Sequence, residues 1–462
     1  MELKTSRNYA FISMLKKYVS SSMLLVIATV AALIVANCPW GDAYRHIWEM
    51  PVSLSVGDFN LFSHGGHAMS LGDFISDFLM AIFFLSVGLE IKREVLCGEL
   101  SSVKKALAPI IGACGGMLVP VIVFYLVCPK DPAMERGMAI PMATDIAFSL
   151  GVLSIFSKRC PTSLKIFLAA LAVADDLGGI IVIAIRYTDH LNWQFLGGAA
   201  LCVVFLALCN WRQVRSKSAY MIVGLALWYC MLNSGIHATI AGVVLAFCIP
   251  ANLPNLPNGT KYYINRIRKN LAEFPQTETT IADRNKPVVL SDDEIHMLKS
   301  VESASDHLIS PLQDLEDALK TPINYFVIPL FAFANAGVNF DGMSIMNLFS
   351  GVGLSVFLGL LVGKFTGVFS ATWLFIKLHV IQKPEGATWA SFASVCMICG
   401  IGFTVSMFMA GLSYNSPEHA NLLNDAKLGI LMGTIASAIV GSLMLNATLP
   451  KEHPDVTAAG GE

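Results

Sequence analysis

Charge is what this 462-residue chain has least of: Asp, Glu, Lys and Arg make up 14% of it, where a soluble domain carries about 25%. With 55% hydrophobic residues, so little charge cannot clothe a water-facing surface, and the lipid bilayer is the solvent that fits. A net charge of −2, with no basic stripe interleaved with aromatics, excludes nucleic acid as a partner. A disulfide framework is excluded as well, because the eleven cysteines are odd in number and scattered mostly through apolar segments. Cys396 and Cys399 form a C-x-x-C, but inside an apolar helix with no thioredoxin-like surroundings, so they read as small packing residues. The first apolar run, Met23 to Ala36, lacks a small-residue cleavage site and is followed by many more, so it reads as a first transmembrane helix.

What the chain does have is apolar runs. Spans are expected near residues 20–38, 72–91, 106–128, 138–156, 164–185, 193–211, 219–232, 235–250, 320–338, 350–376, 388–411 and 425–447. That makes an all-α polytopic membrane protein of about twelve helices, each near the ~20 residues that cross ~30 Å of hydrocarbon, the seventh and eighth being short. Lys92, Arg93, Lys104, Lys105, Lys158, Arg159, Lys165, Arg212, Arg215, Lys217, Lys377 and Lys383 fall on one side, against Arg45, Lys130, Arg136 and Arg186 on the other. The positive-inside rule then makes both termini cytoplasmic. Pro51 to Phe62 alternates apolar and polar residues about Gly57-Asp58 and reads as an external β-hairpin, whose open edges make it a candidate homodimer contact, a capping loop being the alternative. Residues 251–319 form a charged cytoplasmic insertion with a disordered-looking centre, and Ile295, Leu298, Val301, Leu308 and Leu312 suggest one surface helix from Ser291 to Leu319.

A few charges sit where they are expensive. Asp175 and Asp176 lie within the fifth span, Asp145 in the fourth, Lys364 in the tenth, and Asp77 and Glu90 along the second. Each costs a few kcal/mol to insert, so such groups face a wet cavity, pair, bind a cation or titrate. Neighbours on a helix point about 100° apart, so Asp175 and Asp176 cannot do the same job: one can face an ion path while the other pairs with a lysine. Pro141 denies its span a backbone hydrogen bond and Gly400-Ile401-Gly402 loosens the eleventh, which places interrupted helices at equivalent points of spans three to five and ten to twelve. These read as two inverted three-helix repeats, with two discontinuous helices crossing near the midplane and Asp145 and Lys364 offsetting their end charges.

The residues resemble the NhaA family of sodium/proton antiporters. The stretches that carry the likeness are Gly88-Leu89-Glu90-Ile91-Lys92-Arg93-Glu94, Ala143-Thr144-Asp145-Ile146-Ala147-Phe148, Ala174-Asp175-Asp176-Leu177-Gly178, Ser234-Gly235-Ile236-His237-Ala238-Thr239, Pro329-Leu330-Phe331-Ala332-Phe333-Ala334-Asn335, Gly363-Lys364 and Cys399-Gly400-Ile401-Gly402-Phe403-Thr404. The resemblance implies Asp176 as principal sodium ligand, with Asp175 and Thr144 in the same metal site, Asp175 also pairing with Lys364, and Thr144 and Asp145 at the helix crossing. It implies that Asp77 lines the cytoplasmic or barrier side of an ion funnel, and that Glu90, Arg93, Glu94, His237 and Glu316 serve pH response at the cytoplasmic entrance. Ahead of Glu316, where the family pattern has a basic residue, this chain carries Gln313 and Asp314 after a longer loop, so the family's pH midpoint does not transfer.

Implied with these are a bacterial inner-membrane location, a rocking core of residues 106–190 and 346–450, and an interface unit of residues 1–105, 191–250 and 320–345. The insertion at 251–319 and a cytoplasmic tail at 451–462 complete the division. The expected activity is electrogenic export of Na+ or Li+ for about two protons, without cofactor and without enzymatic chemistry, since hard cations and protons compete for the same carboxylates. A sodium-coupled symporter of an organic anion is the alternative, and would show more hydroxyl or amide groups at the crossing than Thr144, Asn335 and Thr404. A membrane sensor would need a soluble output domain, for which only residues 251–319 are available.

Overall fold

The computed structural model describes residues 20–53, 55–56, 59–60, 63–64, 67–186, 191–252, 259–273, 292–306, 308–339 and 351–450. The hairpin turn Gly57-Asp58, the centre of the insertion at 274–291 and the tail at 451–462 lie outside them.

The chain is a bundle of helices whose outer surface is apolar. The first helix, α1 (Ser21–Ala36), starts where the Ser20 hydroxyl accepts from the Met23 amide, and bends by 110° into α2 (Gly41–Glu49). Hydropathy alone does not show α2, a short helix whose Tyr44 hydroxyl is anchored to the Phe333 carbonyl at 2.5 Å. Two short antiparallel ladders follow, β1 (Ser55–Val56) with β2 (Phe59–Asn60) and β3 (Ser63–His64) with β4 (His67–Ala68). Next come α3 (Leu71–Cys97) and α4 (Val103–Val127). Then α5 (Pro132–Glu135) runs on as a 3-10 segment over Arg136–Met142, and α6 (Ile146–Ile155) and α7 (Thr162–Arg186) follow. The series α8 (Trp193–Trp211), α9 (Lys217–Leu232) and α10 (Ile240–Cys248) leads to the insertion.

The single surface helix expected from Ser291 to Leu319 is two helices. The insertion packs α11 (Gly259–Glu273) against α12 (Asp292–Asp306); a new helix, α13 (Pro311–Pro322), then starts, with Ser310 capping the Gln313 amide. Pro311 at a first-turn position explains the break, because proline lacks the amide that would continue the preceding helix. The Leu312 amide donates to the Pro250 carbonyl at 3.3 Å, so the insertion leaves and re-enters the bundle at one point.

Through a π turn at Ile323–Val327, α13 continues into α14 (Ile328–Asn335), so the expected ninth span is the second half of a longer helix. Last come α15 (Gly351–Leu358), a π turn over Gly359–Lys364 into α16 (Phe365–Lys377), α17 (Trp389–Ile398), α18 (Phe403–Ser413) and α19 (Ala420–Thr448).

Among the described residues, six helices are long and apolar enough to cross a membrane, and three bent pairs raise the number to nine. The other expected spans are shorter or irregular, the eighth having only the nine helical residues of α10. Leu126, Ile155, Ile185, Leu201 and Ile222 are 70–79% exposed on the outside, the arrangement that lipid, not water, stabilises. Inside, Phe84, Phe124, Phe331 and Phe408 are buried in one apolar core. Small residues set the helix spacing. A Cβ on Gly115 would collide with the backbone of Gly367, so α4 and α16 touch main chain to main chain, as small residues allow in membrane bundles.

Candidate functional site

Two helices break at the same depth of the bundle. The 3-10 segment ending at Met142 and α6 are bent by 45° across residues 143–145, and α17 and α18 by 43° across residues 399–402. Pro141 and the glycines at 400 and 402 are the local causes. The two breaks are joined by a backbone bond from the Asp145 amide to the Ile401 carbonyl, 2.7 Å.

Broken helices expose unpaired amides at one end and unpaired carbonyls at the other. Asp145 caps both N-termini. Its Oδ1 accepts from the Phe148 amide at 3.0 Å, and its Oδ2 from the Thr404 amide at 3.1 Å and the Thr404 hydroxyl at 2.7 Å. Lys364 serves the opposite pole, its Nζ donating to the Met142 carbonyl where the 3-10 segment ends. Negative charge thus meets the positive helix ends and positive charge a negative one, as the helix dipole favours. The π turn sets Lys364 in place, with Gly363 so close to Pro120 Cα that a Cβ would come within 2.7 Å.

The two aspartates of α7 divide as their 100° separation requires. Asp175 Oδ2 accepts from Lys364 Nζ at 2.5 Å and from the Thr144 hydroxyl at 2.8 Å, a hydroxyl also within 3.0 Å of the Cys399 carbonyl. Among the described residues, Asp175 Oδ1 is buried without a partner, and so are both carboxylate oxygens of Asp176, which is 2% exposed. Around Asp176 lie the charges of Asp175, Glu90, Asp145 and Lys364, three acids to one base. Among the described residues no three acidic, imidazole or thiol groups converge into a ready metal cage.

The other residues of interest separate by end. At one end, Arg93 holds Glu316 at 2.8 Å and Glu94 at 3.1 Å, and Lys320 reaches Glu316 at 3.0 Å. Glu90 lies beside this group. Asp77 is thirteen residues before Glu90 on the same helix, hence roughly 20 Å away. It lines a cavity of about 630 Å3 at the hairpin end, with His237. His237 therefore lies apart from Glu90, Arg93, Glu94 and Glu316, with which it was expected, and Asp77, expected on the cytoplasmic or barrier side of the funnel, shares the cavity of His237. His237 precedes α10 at the far end of that helix from Lys92, which donates to the Phe247 and Ile249 carbonyls. Its ring lies edge-on to Phe408, 6.4 Å between centroids. Asn335 is also away from the crossing, bonded to Ser76 at 3.2 Å and lining the same cavity.

Three partners escaped sequence reasoning. Lys320 supplies the base missing ahead of Glu316 and was detectable as a Glu316/Lys320 pair four residues apart. The Lys217–Asp314 ion pair, between α9 and α13, and Lys427, on the cavity wall, had no local signal.

The fold and this charged centre define a polytopic membrane protein built around two broken, crossing helices. The chain belongs to the Na+/H+ antiporter 1 family, whose model matches residues 13–445. This is a family of transporters, not of catalytic enzymes. The chain is 49% identical over 453 residues to the Na(+)/H(+) antiporter NhaA of Phocaeicola vulgatus, an alignment covering 96% of this chain and 97% of that one. It is 50% identical over 435 residues to the protein of that name from Bacteroides fragilis strain ATCC 25285 (94% and 97% covered). To that from Helicobacter pylori it is 42% identical over 452 residues (97% and 98% covered).

Proposed function

We propose that this protein is a secondary active antiporter of the inner membrane that expels Na+, and Li+, in exchange for protons. The observation that carries the reading is Asp176, a buried carboxylate whose two oxygens have no partner among the described residues while its neighbour is tied to Lys364 and Thr144. An unpaired charge at such depth is costly, and either a cation or a proton removes the cost. Sodium wants oxygen ligands, and Asp176, the free oxygen of Asp175, the Thr144 hydroxyl and water offer them.

Exchange follows from competition. With protons bound the site cannot hold sodium, and with sodium bound it sheds protons, so each face of the membrane trades one for the other without ATP. Loading two protons per sodium moves one net positive charge inward per cycle, driven by about 2.3 kcal/mol per 100 mV. Residues 106–190 and 346–450 form the inverted core that rocks against the interface unit, with the 45° and 43° breaks at equivalent places supporting that pairing. The Arg93–Glu316–Lys320 network at the opposite end from the hairpin tunes the response to cytoplasmic pH, and the strand ladders serve a dimer contact.

The test is dequenching of a preformed ΔpH in everted vesicles on adding Na+, Li+ or K+. Collapse by Na+ and Li+ but not K+, increased by a membrane potential, is expected. A K+ response equal to that of Na+, or uptake of an organic anion with sodium, overturns the reading.

A further inference from the structure

We infer that α11, the first helix of the insertion, is a membrane-surface anchor that lays a stripe of alternating cations and aliphatic side chains on anionic lipid headgroups. The helix has two faces. The inner one packs on α12: Tyr263 is 8% exposed, and Arg266 Nε and Asn270 Nδ2 donate to the Ser300 hydroxyl at 3.0 and 2.8 Å. The outer one carries Lys261, Ile264, Arg268 and Leu271, all exposed, the two aliphatic residues by 52% and 58%. Successive spacings of three, four and three residues place these four on one stripe, about 15 Å long and turned roughly 130° from the face on α12. The acids of α12 therefore lie beyond the inner face and do not offset the stripe. Lys261 and Arg268 have no acidic partner among the described residues, whereas Lys269, outside the stripe, pairs with Glu273 at 3.8 Å.

The place of the insertion supplies the lipid. Arg215 Nη2 donates to the Ile309 carbonyl at 3.1 Å and Lys217 pairs with Asp314, so the insertion rejoins the bundle beside a basic loop, on the side that the positive-inside rule makes cytoplasmic. α10 ends at Cys248 and α11 starts at Gly259, and the residues between them reach at most roughly 35 Å. The stripe is thus tethered close to a surface that is always present and negatively charged. Single aliphatic residues on a wet helix need no explanation. Set alternately with unpaired cations on the face turned from the helix's own partner, they match a headgroup layer: ammonium and guanidinium meet phosphates, and the aliphatic groups and the cations' own stems enter the boundary of the acyl chains. Tethering raises the effective concentration of the surface, so a stripe too short to hold a free peptide suffices here.

The experiment is hydrogen–deuterium exchange over residues 259–273 of the full chain, held one copy per nanodisc in phosphatidylcholine alone or mixed with phosphatidylglycerol. Two cations at an anionic surface shift the ratio of docked to free helix roughly 30-fold, so exchange should slow by up to that factor in the anionic discs only. Lys261→Gln with Arg268→Gln should lose the slowing, yet exchange like wild type in phosphatidylcholine and keep the same thermal unfolding. Lys261→Arg with Arg268→Lys should retain it. Equal exchange of the wild type in the two lipids, or slowing that survives the glutamine pair, overturns the anchor. Faster exchange of the glutamine pair in phosphatidylcholine as well would make these residues part of the fold of the insertion, and slowing that appears only when two copies share a disc would assign the face to a second copy; each overturns it.

Discussion

Asp176 and Asp175 differ by one position in the chain and by everything in their surroundings. Asp175 is held by an ammonium and a hydroxyl, whereas Asp176 meets no donor among the described residues. Asp176→Asn keeps the shape of the side chain but offers neither charge nor a titrating proton, so Na+-dependent ΔpH collapse in everted vesicles should be abolished with insertion intact. Wild-type dequenching by this variant would refute the ligand assignment. Lys364→Ala removes the ion-pair partner of a buried acid and should destabilise the protein by roughly 3–5 kcal/mol. Adding Asp175→Asn should recover much of that loss. Thermal unfolding in detergent of the two single variants and the double variant measures the coupling, and strict additivity would separate the two residues.

At the scale of elements, the crossing depends on one carboxylate serving two helices. Asp145 satisfies the first turns of both α6 and α18. A single helix cap is worth about 0.5–2 kcal/mol, so Asp145→Ala should cost about 1–4 kcal/mol, and Asp145→Asn less, because the amide oxygen still accepts. Thermal melts of the pair decide it; equal losses would mean that negative charge, not acceptor geometry, is what the helix ends need. Packing sets a second expectation. Gly367→Val would force α4 and α16 apart where their backbones meet, and should lower the melting temperature well below that of Val362→Ala, whose side chain is 43% exposed.

For the whole molecule, proton competition at the centre and charge at the Arg93 end combine into one pH profile. Protons displace sodium, so activity should rise with pH, and cytoplasmic alkalinity should switch transport on. The insertion leaves the bundle through a closed base at Pro250 and Leu312, beside the α13 helix that carries Glu316. Removing residues 258–300 should therefore move the pH midpoint measured in everted vesicles while Na+ is still chosen over K+. A deletion that altered ion preference at an unchanged pH profile would break the division between a selective centre and a tuning face.

By itself the sequence determined that the chain lives in a membrane, because apolar runs of the right length leave no other solvent. It also determined that Asp175 and Asp176 meet different neighbours, because helix geometry turns them 100° apart, and that the chain breaks near Pro141 and Gly400, because those residues disturb helices locally. Only the tertiary structure decided what each charge meets. No local pattern brings Lys364 to Asp175 across 189 positions or Thr404 to Asp145 across 259. Nor could spacing show that Asp77 and His237 open on the hairpin end while Glu90 and Glu316 close the other, or that Lys427 shares the cavity of Asp77. Apolar periodicity states that a helix is buried, but in a bundle apolar on every side it cannot state which neighbour buries it, and the charges that gather at each end are a property of those neighbours.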